Sequence, residues 1–448
     1  MSEQRVDVII VGGGFAGLAA ARALRGQGAR VMLLEARASA GGRAQTVEGG
    51  GALLEMGAQW IGPGQPEVRA LASEFGFETR PRPVGGVDRY YTLCDHAGLP
   101  EGIRESLDFD MAEVAGAIQR LDELSSAVDL KAPANSASSL AFDAQTIAGW
   151  CAQELPSGAA SVVARISEGF LGLPEQVSFL HALFYARANG GFASLLGLGG
   201  VRHDSEVVPK GLGRLSQKLA DDLGPVIRLG EAVTGIRASD TEVSAYTSSG
   251  NTYRGEAVIV AVPPAVAASI VFEPELPPRR LCIQRRYIPF SRLKFQVVYR
   301  TPFWRNVGLS GNASGPGFST FDGSAADDLG VIVGFFGARE ALDIWKWPRR
   351  DRAHLAVERL AIMFGEGARN ALHYEDKFWL DEPFSHGCVA APGPGVWSNF
   401  GSALREPVGR IIWAGSETAL SMPGQIEGAI QSGIGAADSA RRMLGGLP

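Results

Sequence analysis

Short runs of consecutive apolar residues predict strands that are buried on both faces, as in a parallel sheet. The first run, VDVIIV at residues 6–11, leads directly into glycines and then into a helical pattern of apolar positions. A second strand is predicted at 30–34, and a further apolar run, AVIVAV at 257–262, ends at two prolines. Strands are also predicted at 292–299 and 329–336, with a strand followed by a turn at 226–236 and again at 410–419. This pattern indicates an α/β protein whose strands are spread along the chain.

Helical periodicity dominates the middle and the end of the chain. From about residue 84 to 196 the pattern is helical, with apolar positions such as Met111, Val114, Ile118 and Leu121. A last helix is predicted to open near 423 and to continue to Leu444. At 448 residues, two or three structural units are expected, and the chain is expected to cross between them several times.

The segment after the first strand has the pattern of a dinucleotide-binding turn. Gly12 permits a tight turn, Gly14 lets the backbone approach a pyrophosphate, and Gly17 lets the helix pack closely on the strand. The helix N-terminus offers free N–H groups and a positive dipole end to phosphates. Glu35, at the end of the second strand, can accept hydrogen bonds from both ribose hydroxyls, and an acid there argues against a 2′-phosphate. A plain strand–helix turn is the alternative in a chain with 58 glycines.

Composition and charge exclude several classes of partner. The net charge is −6, from 42 basic and 48 acidic residues, with no basic run that would neutralise phosphates, so no nucleic-acid partner is expected. Four cysteines lie far apart without a CxxC pair, which argues against a metal site or a disulfide framework and fits a reducing cytoplasm. Because the N-terminus lacks a signal-peptide pattern and no apolar stretch is long enough to cross a bilayer, the sequence predicts a cytoplasmic protein without a membrane partner.

Further motifs continue along the chain and carry a family resemblance. Gly41-Gly42-Arg43 and Gly57-Ala58-Gln59-Trp60 follow the nucleotide turn, and Lys294 lies in SRLKFQVVYRTPFW. FWLDEPFSHGC covers 378–388, and IIWAGSETA and PGQIEGA lie near the C-terminus. Together these segments resemble the flavin monoamine oxidase family, in its soluble bacterial form, over essentially the whole chain. The resemblance implies an α/β fold with a GG-type (glutathione-reductase-like) Rossmann FAD-binding domain and an interleaved α+β substrate-binding domain.

The resemblance also implies domain boundaries and a set of FAD-binding residues. The FAD-binding domain would be discontinuous, covering 1–80, 206–275 and 386–448. The substrate-binding domain, with its helical segment, would cover 81–205 and 276–385. The residues that match the cofactor-binding positions of the family are Gly12, Gly14, Ala16, Gly17, Glu35, Ala36, Gly42, Arg43, Gly57, Ala58, Gln59, Trp60, Val233, Glu417 and Ile426.

Individual roles follow from the same resemblance. Glu417 would hydrogen-bond the ribityl chain, and Val233 would meet the adenine through its backbone. Trp379 would pack beside the flavin ring, and Lys294 would hold a water against flavin N5 and assist reoxidation by oxygen. Lys294 has an alternative interpretation, because strand alternation places it with Gln296 on the face that is commonly solvated.

Two positions depart from the family pattern. Where other members hold the substrate amine between two aromatic rings, this chain has Val389 and Gln425. Gln425 supplies a hydrogen-bond donor and an acceptor instead, and it joins Lys294 and Trp379 as a catalytic candidate. The departure argues against a simple arylalkylamine and favours a bulkier or more polar substrate. The residues that could restore an aromatic wall are Trp60, Phe184, Tyr185 and Trp397.

Cys388 falls where the animal monoamine oxidases attach FAD through a thioether. The alternative interpretation is a small buried cysteine, which is common in protein cores. Many bacterial relatives bind FAD without a covalent bond. The sequence leaves both interpretations open.

The expected reaction is the oxidation of a small-molecule amine to an imine, by hydride transfer to flavin N5 and with O2 as acceptor, releasing H2O2. One alternative is an FAD-dependent desaturase or dehydrogenase that acts on a carbon–carbon bond or an amide-like nitrogen, because such enzymes share the GG extension. A second alternative is a flavin-binding scaffold without turnover, which the missing aromatic pair keeps open. A homodimer is compatible with base rates alone.

Overall fold

The structure is a computed structural model, and it describes residues 4–62, 64–83, 85–91, 110–136, 138–196, 205–315, 317–325 and 328–445. The fold is mixed α/β. The strands are β1 (Gln4–Arg5), β2 (Val8–Val11), β3 (Val31–Glu35), β4 (Thr46–Gly49), β5 (Ala52–Glu55), β6 (Trp60–Ile61), β7 (Arg80–Pro81), β8 (Val87–Tyr90), β9 (Glu206–Val207), β10 (Ile227–Leu229), β11 (Val233–Ala238), β12 (Val243–Thr247), β13 (Thr252–Gly255), β14 (Ala257–Val260), β15 (Val271–Glu273), β16 (Tyr287–Phe290), β17 (Leu293–Tyr299), β18 (Leu309–Gly315), β19 (Phe318–Asp322), β20 (Gly330–Phe336), β21 (His373–Phe378), β22 (Val389–Pro392) and β23 (Ile411–Trp413).

Helices connect the strands and form a separate cluster in the middle of the chain. The α-helices are α1 (Phe15–Gly26), α2 (Pro66–Glu74), α3 (Met111–Ser126), α4 (Ser139–Asp143), α5 (Ile147–Glu154), α6 (Ser157–Phe170), α7 (Phe179–Ala188), α8 (Phe192–Leu195), α9 (Leu212–Leu223), α10 (Pro264–Ala267), α11 (Pro278–Arg286), α12 (Phe303–Asn306), α13 (Ala338–Ile344), α14 (Arg349–Phe364), α15 (Val396–Phe400) and α16 (Ile426–Met443). Short 3-10 helices lie at Pro133–Asn135, Gly224–Val226, Glu366–Arg369, Trp379–Asp381, Gly401–Leu404 and Ser416–Thr418.

A parallel sheet with the strand order β10-β3-β2-β14-β23 forms the centre of the molecule. Every residue of β2 is buried, because the sheet is covered on both faces. Val8 and Ile10 pack in a core with α1 and α16, whereas Ile9 and Val11 pack in a second core against a mixed sheet of order β1-β13-β12-β11-β15. The apolar run therefore serves two cores at once, which explains its lack of alternation.

A second large sheet has the order β21-β17-β20-β19-β18-β8, and its strands are antiparallel except for the β18–β8 pair. Along β17, Leu293, Phe295 and Val297 pack in one core with α14. Lys294 and Gln296 point to the opposite face, yet both are buried there. The solvated-face interpretation of Lys294 is therefore wrong.

The predicted elements differ from the structure mainly at their ends. β2, β3, β14, β17 and β20 match the predicted strands, with ends shifted by one or two residues. The segment 226–236 is not one strand and a turn, because β10 and β11 belong to different sheets. The helical prediction for 84–196 is wrong at its start, where β8 pairs with β18, while 92–109 and 197–204 lie outside the described residues. Among the described residues, no helix is both long and apolar enough to cross a membrane.

Candidate active site

A cavity of about 590 Å³ opens at the carboxyl ends of β2, β3 and β14, the position where α/β sheets generally bind ligands. Segments that are distant in sequence line it together. The sequence-predicted site residues in its wall are Gly12, Gly14, Ala16, Glu35, Ala36, Gly42, Arg43, Gly57, Ala58, Gln59, Trp60, Val233, Lys294, Gln425 and Ile426. Gly17, Trp379 and Glu417 lie outside this lining.

The glycine turn brings backbone close to the cavity, and Gly12 and Gly17 have no room for a side chain. Gly12 has a positive φ of 105°, which few residues other than glycine adopt. A Cβ on Gly17 would collide with the backbone oxygen of Gly12, so this glycine permits close packing of α1 on β2, as the sequence predicted. Gly14 faces Gly42, and a Cβ on Gly42 would lie 3.1 Å from the Cα of Gly14.

Glu35 ties the end of β3 to the glycine turn. Its carboxylate is buried and accepts hydrogen bonds from the backbone N–H groups of Gly13 (2.6 Å) and Arg37 (2.9 Å). The acid that the sequence placed at the ribose position therefore lies in the cavity wall, next to the turn that would approach a pyrophosphate.

Arg43 and Glu417 form an ion pair at the edge of the cavity. Arg43 Nη1 lies 2.6 Å from Glu417 Oε1, and Arg43 Nη2 donates to Glu417 Oε2 at 3.1 Å and to Ser416 Oγ at 3.0 Å. Burial alone would raise the pKa of Glu417, but the Arg43 guanidinium outweighs it and holds that pKa below its usual value. The Glu417 carboxylate is therefore ionised and bound by Arg43. It lies behind the residues that line the cavity.

Lys294 places a buried amine in the cavity wall. Its Nζ donates to the backbone oxygen of Gly57 at 2.9 Å and to Gln59 Oε1 at 2.7 Å. The rings of Trp60 and Phe335 lie 5.6 and 5.7 Å from the same nitrogen. Burial lowers the pKa of Lys294, and the Glu55 carboxylate opposes this shift only in part.

Glu55 and Gln296 hold the segment that supplies the partners of Lys294. Gln296 Nε2 donates to the backbone oxygen of Glu55 at 2.5 Å. The Glu55 carboxylate accepts from Thr46 Oγ1 at 3.0 Å and from the backbone N–H of Leu212 at the start of α9. Burial raises the pKa of Glu55 above its ordinary value, and these hydrogen bonds oppose the shift. Sequence analysis missed both residues; the polar side of β17 was the available signal.

Trp379 lies behind the cavity wall. Its ring is buried, its Nε1 donates to the backbone oxygen of Met56 at 2.8 Å, and a Cβ on Gly57 would lie 3.1 Å from the ring. The backbone of Gly57 therefore lies between the Trp379 ring and the cavity.

The two positions that lack aromatic rings both lie in the wall, as Val389 and Gln425. Both polar atoms of the Gln425 amide are already hydrogen-bonded within the protein, with Oε1 accepting from Gln65 (2.6 Å) and Nε2 donating to Asn189 (2.5 Å). Of the four aromatic candidates, Trp60 and Tyr185 line the cavity. Phe184 and Trp397 instead pack together inside the helical cluster, with ring centroids 5.1 Å apart.

Several residues of the cavity wall were not predicted from the sequence. Phe170, Phe335 and Gln65 line the same cavity, next to the predicted positions. Phe335 lies in a predicted strand and Gln65 follows the Gly57-Ala58-Gln59-Trp60 segment by five residues, but neither pattern shows which way a side chain points. Cys388 also lines the cavity, and its side chain is exposed, so the thiol is accessible from the cavity.

The residues that line the cavity are suited to an FAD molecule. It joins a glycine turn without side chains, a buried acid at the end of the second strand and a wall of apolar and aromatic residues around Lys294. The first part suits a pyrophosphate and the acid suits a ribose without a 2′-phosphate. The last part suits a flat ring system.

Comparison with known proteins gives a consistent result. The chain matches the family model described as flavin containing amine oxidoreductase over residues 15–440. It is 35% identical to a Mycobacterium tuberculosis protein named flavin-containing monoamine oxidase AofH, over 98% of this chain and 97% of that one. It is 33% identical to a protein of Synechocystis named L-amino acid dehydrogenase, over 98% and 95% of the two chains. The solved structure of cyclohexylamine oxidase from Brevibacterium oxydans aligns with a TM-score of 0.89 and 29% identity, covering 98% of this chain and 99% of that chain.

The resemblance inferred from the sequence motifs is thereby confirmed, because the family match spans residues 15–440 and includes the segment around Gln425. The protein belongs to the flavin containing amine oxidoreductase family and is an FAD-dependent amine oxidase.

Proposed function

We propose that this protein oxidises the carbon–nitrogen bond of a polar or bulky small-molecule amine, with dioxygen as the electron acceptor. The observation that carries the proposal is the position of Lys294. Its buried amine faces the same cavity as the nucleotide-binding turn, so cofactor, substrate and lysine would share one space.

FAD would bind along the cavity, with the pyrophosphate at Gly12–Gly14, the ribose at Glu35 and the adenine near Val233. This arrangement corresponds to a GG-type Rossmann domain interleaved with an α+β substrate domain. The sheet topology supports the boundaries 1–80, 206–275 and 386–448, because all five strands of the parallel sheet come from those stretches. The β21-β17-β20-β19-β18-β8 sheet supports the second domain, since its strands come from 81–205 and 276–385.

When bound, FAD supplies the two-electron chemistry: its ring takes a hydride from the carbon next to the substrate nitrogen and returns the electrons to oxygen. The protein positions the reactants and excludes water. Two N–H groups of the Lys294 ammonium are bonded to Gly57 and Gln59. The third N–H would point at the reacting region and would assist the reaction with oxygen. Trp379 would keep the Gly57 backbone in place.

The charges in the wall favour an uncharged amine. Arg43 is already paired with Glu417, whereas Lys294 hydrogen-bonds no carboxylate in the described part of the chain. The acids in the described lining, Glu35 and Glu231, lie at the nucleotide end. An ammonium ion beside Lys294 Nζ would meet a like charge, so the substrate would bind as the free base. The free base is also the form whose nitrogen lone pair assists loss of a hydride.

The shape of the wall favours a substrate other than a simple arylalkylamine. Val389 and Gln425 leave out the two stacking rings, while Phe170, Phe335 and Trp60 supply apolar surface elsewhere in the cavity. We therefore propose an alicyclic or polar substituted amine as the substrate class.

The test is an anaerobic titration of the purified holoenzyme with cyclohexylamine, phenylethylamine and a set of L-amino acids, followed by visible spectroscopy. Bleaching of the flavin band by one amine class, with return of colour and release of hydrogen peroxide on admitting air, is the expected result. A protein without bound flavin, or a flavin that no amine bleaches, would contradict the proposal. Flavin that stays with the acid-precipitated protein would show attachment at Cys388, and Cys388→Ser should then release it.

A second candidate is an amine dehydrogenase that passes electrons to an acceptor other than oxygen. The relative named L-amino acid dehydrogenase, 33% identical over 98% of this chain, favours it. In that case an amine would bleach the flavin, but admission of air would return colour slowly and give little peroxide. A cytoplasmic location and a homodimer stay predictions.

A further inference from the structure

Three side-chain amides form a connected chain at the end of the cavity where the aromatic pair is missing. Gln65 Nε2 donates to Gln425 Oε1 at 2.6 Å, and Gln425 Nε2 donates to Asn189 Oδ1 at 2.5 Å. Asn189 Nδ2 in turn donates to the backbone oxygen of Tyr185 at 2.9 Å. Asn189 directly follows α7, and Gln425 and Gln65 directly precede α16 and α2, so three helix ends hold the chain of amides.

The backbone oxygen of Tyr185 fixes the direction of every amide in this chain. A backbone carbonyl can only accept, so the nitrogen of Asn189 must face it and the oxygen of Asn189 must face Gln425. Gln425 then has to donate through its nitrogen, which turns its oxygen towards Gln65. Gln65 must donate in turn, and one acceptor, Gln65 Oε1, is left at the end.

Gln65 Oε1 accepts no hydrogen bond within the described part of the chain, although the side chain is only 2% exposed. Gln65 and Gln425 both line the cavity. This oxygen is open to the cavity, so a ligand that fills the cavity and offers an N–H can pair with it, whereas a ligand without an N–H displaces water and leaves the oxygen without a partner. The Gln65 amide cannot turn over to exchange its nitrogen and oxygen without breaking the hydrogen bond to Gln425.

We propose that Gln65 Oε1 accepts a hydrogen bond from the nitrogen of the substrate amine, so that the enzyme selects primary and secondary amines over tertiary amines. This proposal rests on the proposed function. Gln425 and Asn189 act as positioning residues, because their amides keep the oxygen of Gln65 directed into the cavity. A tertiary amine that binds as the free base has no N–H to offer, and it would leave the acceptor unpaired.

The experiment compares cyclohexylamine, N-methylcyclohexylamine and N,N-dimethylcyclohexylamine as ligands of the holoenzyme. Dissociation constants come from anaerobic perturbation or bleaching of the flavin spectrum at alkaline pH, and FAD affinity is measured in parallel. The wild type should bind the two N–H amines about tenfold more tightly than the dimethyl compound. In Gln65→Leu this ratio should fall towards one, because both kinds of amine then meet an apolar group.

Two further variants separate recognition from structural damage. Gln217→Leu removes the same amide from α9, where it bonds Asp221 outside the cavity, and should leave the ratio unchanged. Gln65→Asn keeps an amide that can donate to Gln425 but draws it back by one methylene, so it should lower the ratio even if Gln65→Leu fails to fold.

Three outcomes would overturn the proposal. An unchanged ratio in a folded Gln65→Leu would show that the substrate nitrogen does not contact this oxygen. A tenfold loss of FAD affinity with an unchanged ratio would assign the oxygen to the cofactor. Equal binding of all three amines by the wild type would remove the selectivity itself, yet bleaching and peroxide release would still support the proposed function.

Discussion

Lys294 is the residue whose environment is hardest to reconcile with a purely structural role. Moving an ammonium group from water into a protein interior costs several kcal/mol unless hydrogen bonds and an opposite charge compensate. Here Gly57 and Gln59 supply two acceptors, and the Glu55 carboxylate opposes the effect of burial in part. Burial still lowers the pKa of Lys294. A residue kept buried at such a cost, in the wall of the cavity, is best explained by chemistry.

Replacing Lys294 with methionine should slow the reaction of the reduced enzyme with oxygen by roughly 10²-fold, because a fixed donor at the reacting region is lost. Bleaching by the amine should change much less. Stopped-flow measurements of the two half-reactions test this. Lys377→Met is the matched control: Lys377 pairs with Lys294 across β17 and β21, but it bonds Glu382 and lies outside the cavity lining. Equal effects of the two substitutions would contradict a role for Lys294 in the reaction with oxygen.

At the residue scale, the sequence predicted the positions whose chemistry is encoded locally. The glycine turn and Glu35 belong to one strand–helix–strand unit, so spacing alone indicated their roles. Gln65 could not be found in this way, because its partner Gln425 lies 360 residues away in sequence. Gln296 is visible in the sequence as a polar position on one face of β17. Periodicity could not show that the segment after β5 covers this face.

Among the elements, helices α1 and α16 are in close contact. A Cβ on Gly433, in the middle of α16, would collide with the backbone oxygen of Ala16 in α1. Ala16 lies in the cavity wall, at the helix N-terminus that would face the cofactor. The packing of the two helices therefore sets the position of the nucleotide-binding turn.

Two glycines of α16 allow this packing to be tested within one helix. Gly433→Ala should destabilise the protein by about 1–3 kcal/mol and weaken FAD binding, because α1 and α16 must move apart. Gly435, two residues on, is exposed and has open space around it, so Gly435→Ala should stabilise the helix by up to about 1 kcal/mol. Thermal unfolding and FAD titration of both variants give the comparison. A Gly433→Ala protein that is as stable as Gly435→Ala would contradict the close contact.

Element prediction succeeded where one strand or helix has a single, continuous environment. The apolar pattern of β14 and the periodicity of α3 were sufficient. Element prediction failed at β8, a short strand with few buried side chains. This strand forms because its backbone pairs with the edge of β18. Pairing of this kind is a long-range property, and no local pattern encodes it.

At the scale of the whole molecule, the same limit applies to sheet order. The parallel sheet places β10 beside β3 and β23 beside β14, although about 190 and 150 residues separate these partners. The apolar runs indicated that each strand is buried. Only the family resemblance predicted that the three stretches 1–80, 206–275 and 386–448 would form one domain.

The stability of the whole molecule should also depend on one buried histidine in the helical cluster. His181 Nδ1 accepts a hydrogen bond from Trp397 Nε1 at 3.2 Å, which requires a neutral ring. Burial, assisted by the positive charge of Arg405, lowers the pKa of His181 to about 3 from its ordinary 6.5. In the unfolded chain this histidine takes up a proton below about pH 6.5, whereas in the folded protein it does not. Acid therefore favours unfolding, by up to about 1.4 kcal/mol for each pH unit below that value.

His181→Gln keeps an acceptor for Trp397 and cannot take up the proton. We expect a small loss of stability at pH 7 and a shallower decrease between pH 6.5 and 4.5, so that the difference from the wild type shrinks or reverses in acid. Denaturant unfolding at a series of pH values measures this, and His354→Gln, on the exposed side of α14, should follow the wild-type curve. If His181→Gln showed the full wild-type decrease, the acid sensitivity would have to come from other groups, and His181 would have to take up its proton in the folded state as readily as in the unfolded chain.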